Sequence, residues 1–312
     1  MSSPAVQPLL ALLASHVGGN PTQYMFERAF AHHDLDWRYL TFEIEPESLG
    51  DAVRGLRALG FRGAHCADPY KQAVLPWLDR TTETAAMVGA VNLIFREDAG
   101  SGLKCNKLPN SKETLHDSPR NVENALVGEN TEGKGVVQAI RAAADPAGKR
   151  VVLLGAGRVA RAVAIELAAA GVADITVVNR TESRAGELAA LLTGKFETLV
   201  SAVAWQGDYA VPPETDILIH AIGLGHDLGK VGDAGKVEIP LLLDSLRPEL
   251  LVADMAIEPR TWLLDEANQR GCKTVDGLSM FIEQVAIGFQ LWTGVDSDRQ
   301  VLHDAVEEFL EL

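Results

Sequence analysis

The chain of 312 residues is poor in cysteine, in positive charge and in long apolar runs, and each shortage removes a class of protein. Its three cysteines, Cys66, Cys105 and Cys272, are odd in number, far apart and form no C-x-x-C. They read as reduced thiols rather than a disulfide framework, which fits a cytoplasmic location. Lys and Arg total 28 against 43 Asp and Glu, so the net charge is 28 − 43 = −15. A chain this acidic lacks the clustered cations that follow a phosphate backbone, which argues against a nucleic-acid partner. No stretch approaches the ~18–20 consecutive apolar residues of a membrane span. The apolar run at residues 9–14 is short and has no basic flank, so it opens a folded domain rather than serving as a signal peptide. H-E-x-x-H is absent, and adjacent His32 and His33 cannot share one helix face, which leaves metal catalysis without support. G-x-S-x-G is absent too: Gly277-Leu278-Ser279-Met280-Phe281 lacks the final glycine and suits a helix start.

What is present is ordinary globular material, 47% apolar and 23% charged, long enough for two domains at ~150 residues each. In the first ~130 residues, 26–32 reads as a helix, 37–44 as an alternating strand, and 49–59 as a helix with Leu49, Val53, Leu56 and Leu59 on one face. A strand at 61–66, a helix near Pro69 and a strand at 88–95 follow. Residues 98–123 dissolve into a polar surface excursion. Residues 142–149, with Asp145-Pro146 and Gly148, read as a linker. Beyond it, strands at 151–154, 175–178, 216–221 and 250–255 alternate with helices at 158–170, 182–192 and 261–270. That alternation is the mark of a doubly wound parallel sheet. Helices at 280–292 and 300–310 close the chain.

Gly155-Ala156-Gly157-Arg158-Val159-Ala160 fits G-x-G-x-x-A between an apolar strand and a helix. Gly155 allows the tight turn, Gly157 lets backbone approach a pyrophosphate, and Ala160 lets helix and sheet pack closely. The helix N-terminus adds free N–H groups and partial positive charge. At the end of the next strand stand Asn179, Arg180 and Thr181, followed by Arg184, rather than the acidic residue that binds an unphosphorylated ribose. Guanidiniums there suit a 2′-phosphate, so the cofactor expected is NADP. A rival phosphate motif, Gly128 to Gly135, ends in glycine where a P-loop needs a hydroxyl, and Glu129 and Glu132 would repel phosphates.

The first domain contributes Lys71 after Pro69, the amide Asn92 in Gly89-Ala90-Val91-Asn92, and Asn130-Thr131-Glu132-Gly133. With Gly60-Phe61-Arg62-Gly63, the dinucleotide loop, Asn179-Arg180-Thr181, Pro259-x-Thr261 and Asp276-Gly277-Leu278-Ser279-Met280 through Gln284, these pieces occur in the order of the shikimate/quinate dehydrogenase family, which the chain resembles over most of its length. The resemblance implies an α/β substrate domain at 1–128, with 281–312 packing back on it, and a Rossmann NADP-binding domain at 129–280, with the active site in the cleft. It implies Lys71 and Glu132 as catalytic residues and a small hydroxy acid as substrate. It places Asn20, Thr22, His65, Asn92, Thr131 and Gln284 with the substrate and Gly277 with the cofactor. A monomer or homodimer is expected.

Departures from the family pattern gather at the substrate end. His65-Cys66-Ala67 replaces Asn-Val-Thr, Glu132 replaces an aspartate, Asn20 and Thr22 stand where paired serines hold the substrate carboxylate, and Ile257 replaces a tyrosine. Each buried hydroxyl left unpaired costs ~1–3 kcal/mol, or ~10–100-fold in binding, so an altered or weak preference for shikimate is expected. His65 adds a group that ordinarily titrates near neutrality and can meet a carboxylate. Two rival functions differ in outcome: a non-catalytic NADP-binding regulatory paralogue binds without turnover, and an enzyme like methylene-tetrahydrofolate dehydrogenase reduces a folate.

Overall fold

The computed structural model describes residues 6–97, 105–107, 125–222, 239–257 and 261–311. The chain divides into two compact units: 1–131 with 285–312, and 132–284.

In the first unit, the strands are β1 (Leu9–Ala14), β2 (Arg38–Glu43), β3 (Gly63–Cys66), β4 (Arg80–Thr82), β5 (Leu93–Arg96), β6 (Cys105–Lys107) and β7 (Leu126–Glu129). Among the described residues they form one sheet in the order β2-β1-β3-β5-β7-β4-β6. It is mixed: β1 runs parallel to β2 and β3, whereas β5 is antiparallel to both β3 and β7. The run Leu-Leu-Ala-Leu-Leu-Ala of β1 is almost wholly buried, as expected of a strand covered on both faces. Helices α1 (Thr22–His32), α2 (Leu49–Ala58), α3 (Tyr70–Ala73) and α4 (Glu83–Val88) connect these strands. Leu49, Val53 and Leu56 of α2 enter the core with Leu13, Phe61, Tyr70 and Ile94, while Leu59 lies beyond the helix and is exposed.

Three local expectations change. Residues 88–92 are not strand: α4 ends at Val88, Gly89 takes the left-handed conformation (φ 73°) that stops it, and β5 begins only at Leu93. Helix α1 starts at Thr22, four residues early, with Pro21 before it and the Asn20 carboxamide accepting a hydrogen bond from the Thr22 N–H (2.9 Å), one of the donors a helix start leaves free. The polar excursion at 98–123 contains a strand, since 105–107 pairs antiparallel with β4, and its other residues lie outside those described.

The second unit holds helices α5 (Glu132–Ala143), α6 (Arg158–Ala169), α7 (Glu182–Leu192) and α8 (Trp262–Gln269), with strands β8 (Arg150–Leu154), β9 (Asp174–Asn179), β10 (Leu199–Ala204), β11 (Ile217–His220), β12 (Leu251–Asp254) and β13 (Lys273–Val275). These strands form a wholly parallel sheet in the order β10-β9-β8-β11-β12-β13, a doubly wound Rossmann sheet whose direction of winding reverses between β8 and β11. Residues 144–149 lie inside this unit and are not the linker. The division falls after Thr131, because Glu129, Asn130 and Thr131 are bonded into the first unit. Helix α9 (Gly277–Thr293) begins in the second unit and ends in the first, where α10 (Arg299–Leu310) packs on α1.

The end of α9 explains Gly63. The Trp292 indole N–H donates to the Ile94 carbonyl (2.9 Å), and a Cβ at residue 63 would lie 2.2 Å from both groups. Around that indole, Phe26 stacks on Tyr39 (4.8 Å between ring centres) and His65 meets Trp292 edge-on (4.7 Å). His65 Nδ1 and the Tyr39 hydroxyl share a hydrogen bond of 2.7 Å. Burial, with the Lys71 charge second, pushes the His65 pKa down from 6.5 to about 3. His65 is therefore a neutral core imidazole in the cofactor-free protein and does not titrate near neutrality. Because the unfolded chain binds that proton at pH 6.5 and the native chain only near 3, acid removes stability across this window, at about 1.4 kcal/mol per pH unit. In urea unfolding at pH 8 and 4.5, the wild type is expected to lose about 2–3 kcal/mol more over this interval than His65→Gln. Equal losses would refute the assignment.

Candidate active site

Lys71 sits on α3, one of the few charged residues buried in the first unit (8% exposed). Its carbonyl accepts the Val91 N–H (2.7 Å), and the Lys71 Nζ lies 3.5 Å from an Asp68 carboxylate oxygen in the turn before the helix. Next to it, Cys66 is a buried thiol whose pKa burial pushes up to about 12, so it remains protonated.

A second layer is built from amides and hydroxyls. Asn92 Nδ2 donates to Thr131 Oγ1 (2.9 Å), and the Thr131 N–H donates to Asn92 Oδ1 (2.8 Å). The backbone of Asn92 bridges its neighbours: its N–H donates to the Glu129 carbonyl (3.1 Å), and its carbonyl accepts the Cys66 N–H (2.9 Å). The Glu129 carboxylate in turn accepts from the Thr82 hydroxyl and the Asn130 N–H, 2.8 Å each. Asn92, Asn130 and Thr131 are all fully buried. Strands β3, β5 and β7 and the turn into α5 are thus tied at one end of the sheet, the end from which α3 with Lys71 also leaves. Thr131 satisfies Asn92, and Asn20 accepts the Thr22 N–H at the start of α1, so both amides hold backbone as well as standing where the resemblance puts substrate. Thr22 is buried in the first turn of α1.

In the second unit, Glu132 is the first residue of α5 and is buried, in a helix start rather than an open turn. Gln284 is half-buried on α9, its Cβ beside Gly135 of α5. The loop after β8 has the geometry of a phosphate cradle. Gly155 adopts φ 115°, and a Cβ there would lie 2.7 Å from the Ala221 carbonyl. Gly157 faces open space and precedes α6, whose first turn carries Arg158, Val159 and buried Ala160, with half-buried Ala156 between the glycines. After β9, the Asn179 carboxamide donates to the Thr181 carbonyl (2.8 Å) and shapes a loop on which Arg180 and Thr181 are exposed, with Arg184 exposed in the first turn of α7. Gly277 starts α9 against the Ala256 carbonyl, where no side chain fits.

Two features escaped the sequence reading. Asp68 is a carboxylate three residues before Lys71, a spacing that could have drawn notice on a helical turn. His220 and Asp254 end adjacent strands β11 and β12 and pair at 2.9 Å, a contact between residues 34 apart in sequence.

Family models match this chain in three consecutive parts: the shikimate dehydrogenase substrate-binding domain over residues 12–94, the shikimate/quinate 5-dehydrogenase domain over 138–240, and the shikimate 5′-dehydrogenase C-terminal domain over 277–307. A shikimate dehydrogenase (NADP(+)) of Moorella thermoacetica is 37% identical over 304 residues, which cover 96% of this chain and 92% of that protein. Among solved structures, the ligand-free 5-ketofructose reductase of Gluconobacter sp. strain CHM43 is 36% identical with a TM-score of 0.84, over 98% of this chain and 99% of that one. Shikimate 5-dehydrogenase of Listeria monocytogenes, in complex with shikimate and NAD, is 28% identical with a TM-score of 0.78, over 97% and 96%. With its mixed-sheet first unit, its Rossmann second unit and the ordered motifs they carry, the chain belongs to the shikimate/quinate dehydrogenase family.

Proposed function

We propose that this protein is an NADP-dependent oxidoreductase that interconverts a secondary alcohol and a ketone on a cyclic hydroxy acid, shikimate or a close relative, with Lys71 as the acid–base group. The buried amine of Lys71, held at the end of the sheet by its own backbone and by Asp68, carries this reading. A lysine is kept out of water only where its charge or proton is used or paired.

The residues present fit the cofactor. The cradle at Gly155 and Gly157 leaves room for phosphate oxygens against the α6 N-terminus, which at twelve residues has the dipole to favour them. Arg180 and Arg184, with the Thr181 hydroxyl, are placed to hold a 2′-phosphate. When bound, the nicotinamide accepts or supplies the hydride. Lys71 takes the hydroxyl proton as the alcohol is oxidised and returns it as the ketone is reduced, a role worth ~10²–10⁴ in rate. Glu132 stands where the family has its aspartate and is assigned to orient that amine and the hydroxyl. Asn92, Thr131 and Gln284, with Asn20 and Thr22, are assigned to the rest of the substrate. His65 contributes a neutral ring edge rather than a cation to this group.

A second substrate class, a neutral polyhydroxylated ketone, is favoured by one observation: 5-ketofructose reductase is more alike in structure to this chain than the shikimate 5-dehydrogenase above. The substitutions at Ala67 and Ile257, which remove hydroxyls the family offers to its hydroxy acid, point the same way. The protein is proposed to work in the cytoplasm as a monomer or homodimer; among the described residues no helix is long and apolar enough to cross a membrane, and Cys66 and Cys272 are unpaired thiols.

Lys71→Ala is expected to lower kcat by ~10²–10⁴ while NADP binding, measured by fluorescence titration, stays unchanged; near-normal kcat would remove the acid–base assignment. Replacing Arg180 or Arg184 with alanine is expected to weaken NADP binding about tenfold or more and leave NAD binding unaltered, since one charge-assisted hydrogen bond is worth about 1.5–3 kcal/mol. Turnover of shikimate, quinate and 5-ketofructose, followed at the nicotinamide absorbance, separates the substrate classes: the cyclic acids lead if the principal reading holds, and 5-ketofructose leads if the second does. Binding of NADP with no turnover of any of them would leave a regulatory role.

A further inference from the structure

We propose that Asp68 is a positioning residue for Lys71, a second carboxylate beyond Glu132 that holds the amine as an ammonium ion and so favours its use as proton donor in ketone reduction. This rests on the reading of Lys71 as the acid–base group.

The geometry is specific. Asp68 Oδ2 lies 3.5 Å from Lys71 Nζ, and the two residues sit three apart in the turn that becomes α3. The Lys71 side chain is only 10% exposed and that of Asp68 27%, so the pair is shielded from solvent mainly on the amine side. From β3, His65 and Cys66, on opposite faces of the strand, both feel the charge of that amine, and both are uncharged, the ring because burial holds it neutral and the thiol because burial holds it protonated. Neither supplies an anion. Within the first unit, then, the nearby groups of β3 are neutral and the α3 turn presents a carboxylate to the ammonium. Glu132, at the start of α5, is the other carboxylate assigned to it.

An opposite charge within ~4–6 Å stabilises the ionised form of a group and shifts its proton affinity by about 1–3 pH units when both are shielded. Partial exposure of Asp68 puts the effect at the low end. In reduction, the carbonyl carbon takes the hydride from NADPH, the Nζ–H bond breaks and the substrate O–H bond forms; Lys71 is left as a neutral amine and regains a proton from water. Reduction needs the ammonium form, so its rate falls as pH rises through the Lys71 pKa. A carboxylate that raises that pKa extends reduction to higher pH. In oxidation, which needs the free amine, it delays the rise of the rate by the same interval. The equilibrium of the reaction is unaffected.

The test reads the amine directly in the cofactor-free protein. Protein grown on [ε-¹³C]lysine gives one carbon signal per lysine, and the Lys71 signal is the one lost in Lys71→Arg. Its titration is expected to move about one pH unit lower in Asp68→Asn and to return most of the way in Asp68→Glu. The alkaline limb of the reduction rate should move with it. An unchanged Lys71 titration in Asp68→Asn, with the remaining lysine signals intact, overturns the proposal. Because this signal does not depend on turnover, it separates from the functional reading: an active Lys71→Ala sinks that reading, whereas an unmoved titration sinks only the role of Asp68.

Discussion

Two hydrogen bonds between Asn92 and Thr131 are the constraint on which the rest of the site depends. They are reciprocal, amide to hydroxyl and backbone N–H to amide oxygen, and both residues are fully buried. In that setting each bond is worth about 1 kcal/mol net, but removing one partner strands a desolvated polar group at about 1–3 kcal/mol. The same Asn92 backbone bonds β3 on one side and β7 on the other, and the neighbouring Val91 N–H holds the carbonyl of Lys71. The backbone of residues 91 and 92 thus registers the strand bearing His65 and Cys66 and the short helix bearing Lys71, and the Asn92 side chain fixes the point from which α5 starts with Glu132. A serine or alanine at residue 92 could not make this pattern, because it needs a donor and an acceptor at a fixed spacing.

The two ends of the chemistry are built on different principles. At the end proposed for the cofactor, backbone geometry dominates: a left-handed Gly155 against the Ala221 carbonyl, an open Gly157 and a helix start, with exposed Arg180 on the next loop and exposed Arg184 in the first turn of α7. Such a site tolerates change around it because few side chains define it. At the end proposed for substrate, most of the side chains, Thr22, His65, Asn92 and Thr131 among them, are buried, and the departures from the family pattern fall there. His65 shows how such a change is absorbed: a ring that would ordinarily titrate is enclosed by Tyr39, Phe26 and Trp292 and becomes part of an aromatic core. Of that cluster, His65 is the member that feels the Lys71 charge, and it meets that charge as a neutral ring.

Much of this was legible in sequence order. The Rossmann half could be read because each of its features is local: a strand, a glycine turn, a helix and the residues at the next strand end. The position of Lys71 after Pro69, and of Asn130-Thr131 before Glu132, followed from the ordered motifs. What could not be read depends on contacts between distant residues. The bounds of α4 and the start of β5 turn on Thr82 capping a helix and Gly89 stopping it, in a stretch whose apolar residues fit a strand equally well. The neutral state of His65 requires Trp292, more than two hundred residues away, to cover it. The boundary at Thr131 rather than within 142–149 is set by side-chain bonds to Asn92, whereas the Pro and Gly between 144 and 149 only turn the chain from α5 into β8. The pair of His220 with Asp254 exists because β11 and β12 are neighbours, which strand order alone decides.

The central claim is that the Lys71 amine meets the reacting hydroxyl. A crystal structure of the protein with NADP and shikimate, or with whichever alcohol it turns over, tests it most directly. The account predicts Nζ within hydrogen-bond reach, about 2.6–3.2 Å, of the carbinol oxygen. A ternary complex in which that oxygen contacts another side chain while Nζ faces solvent would contradict it.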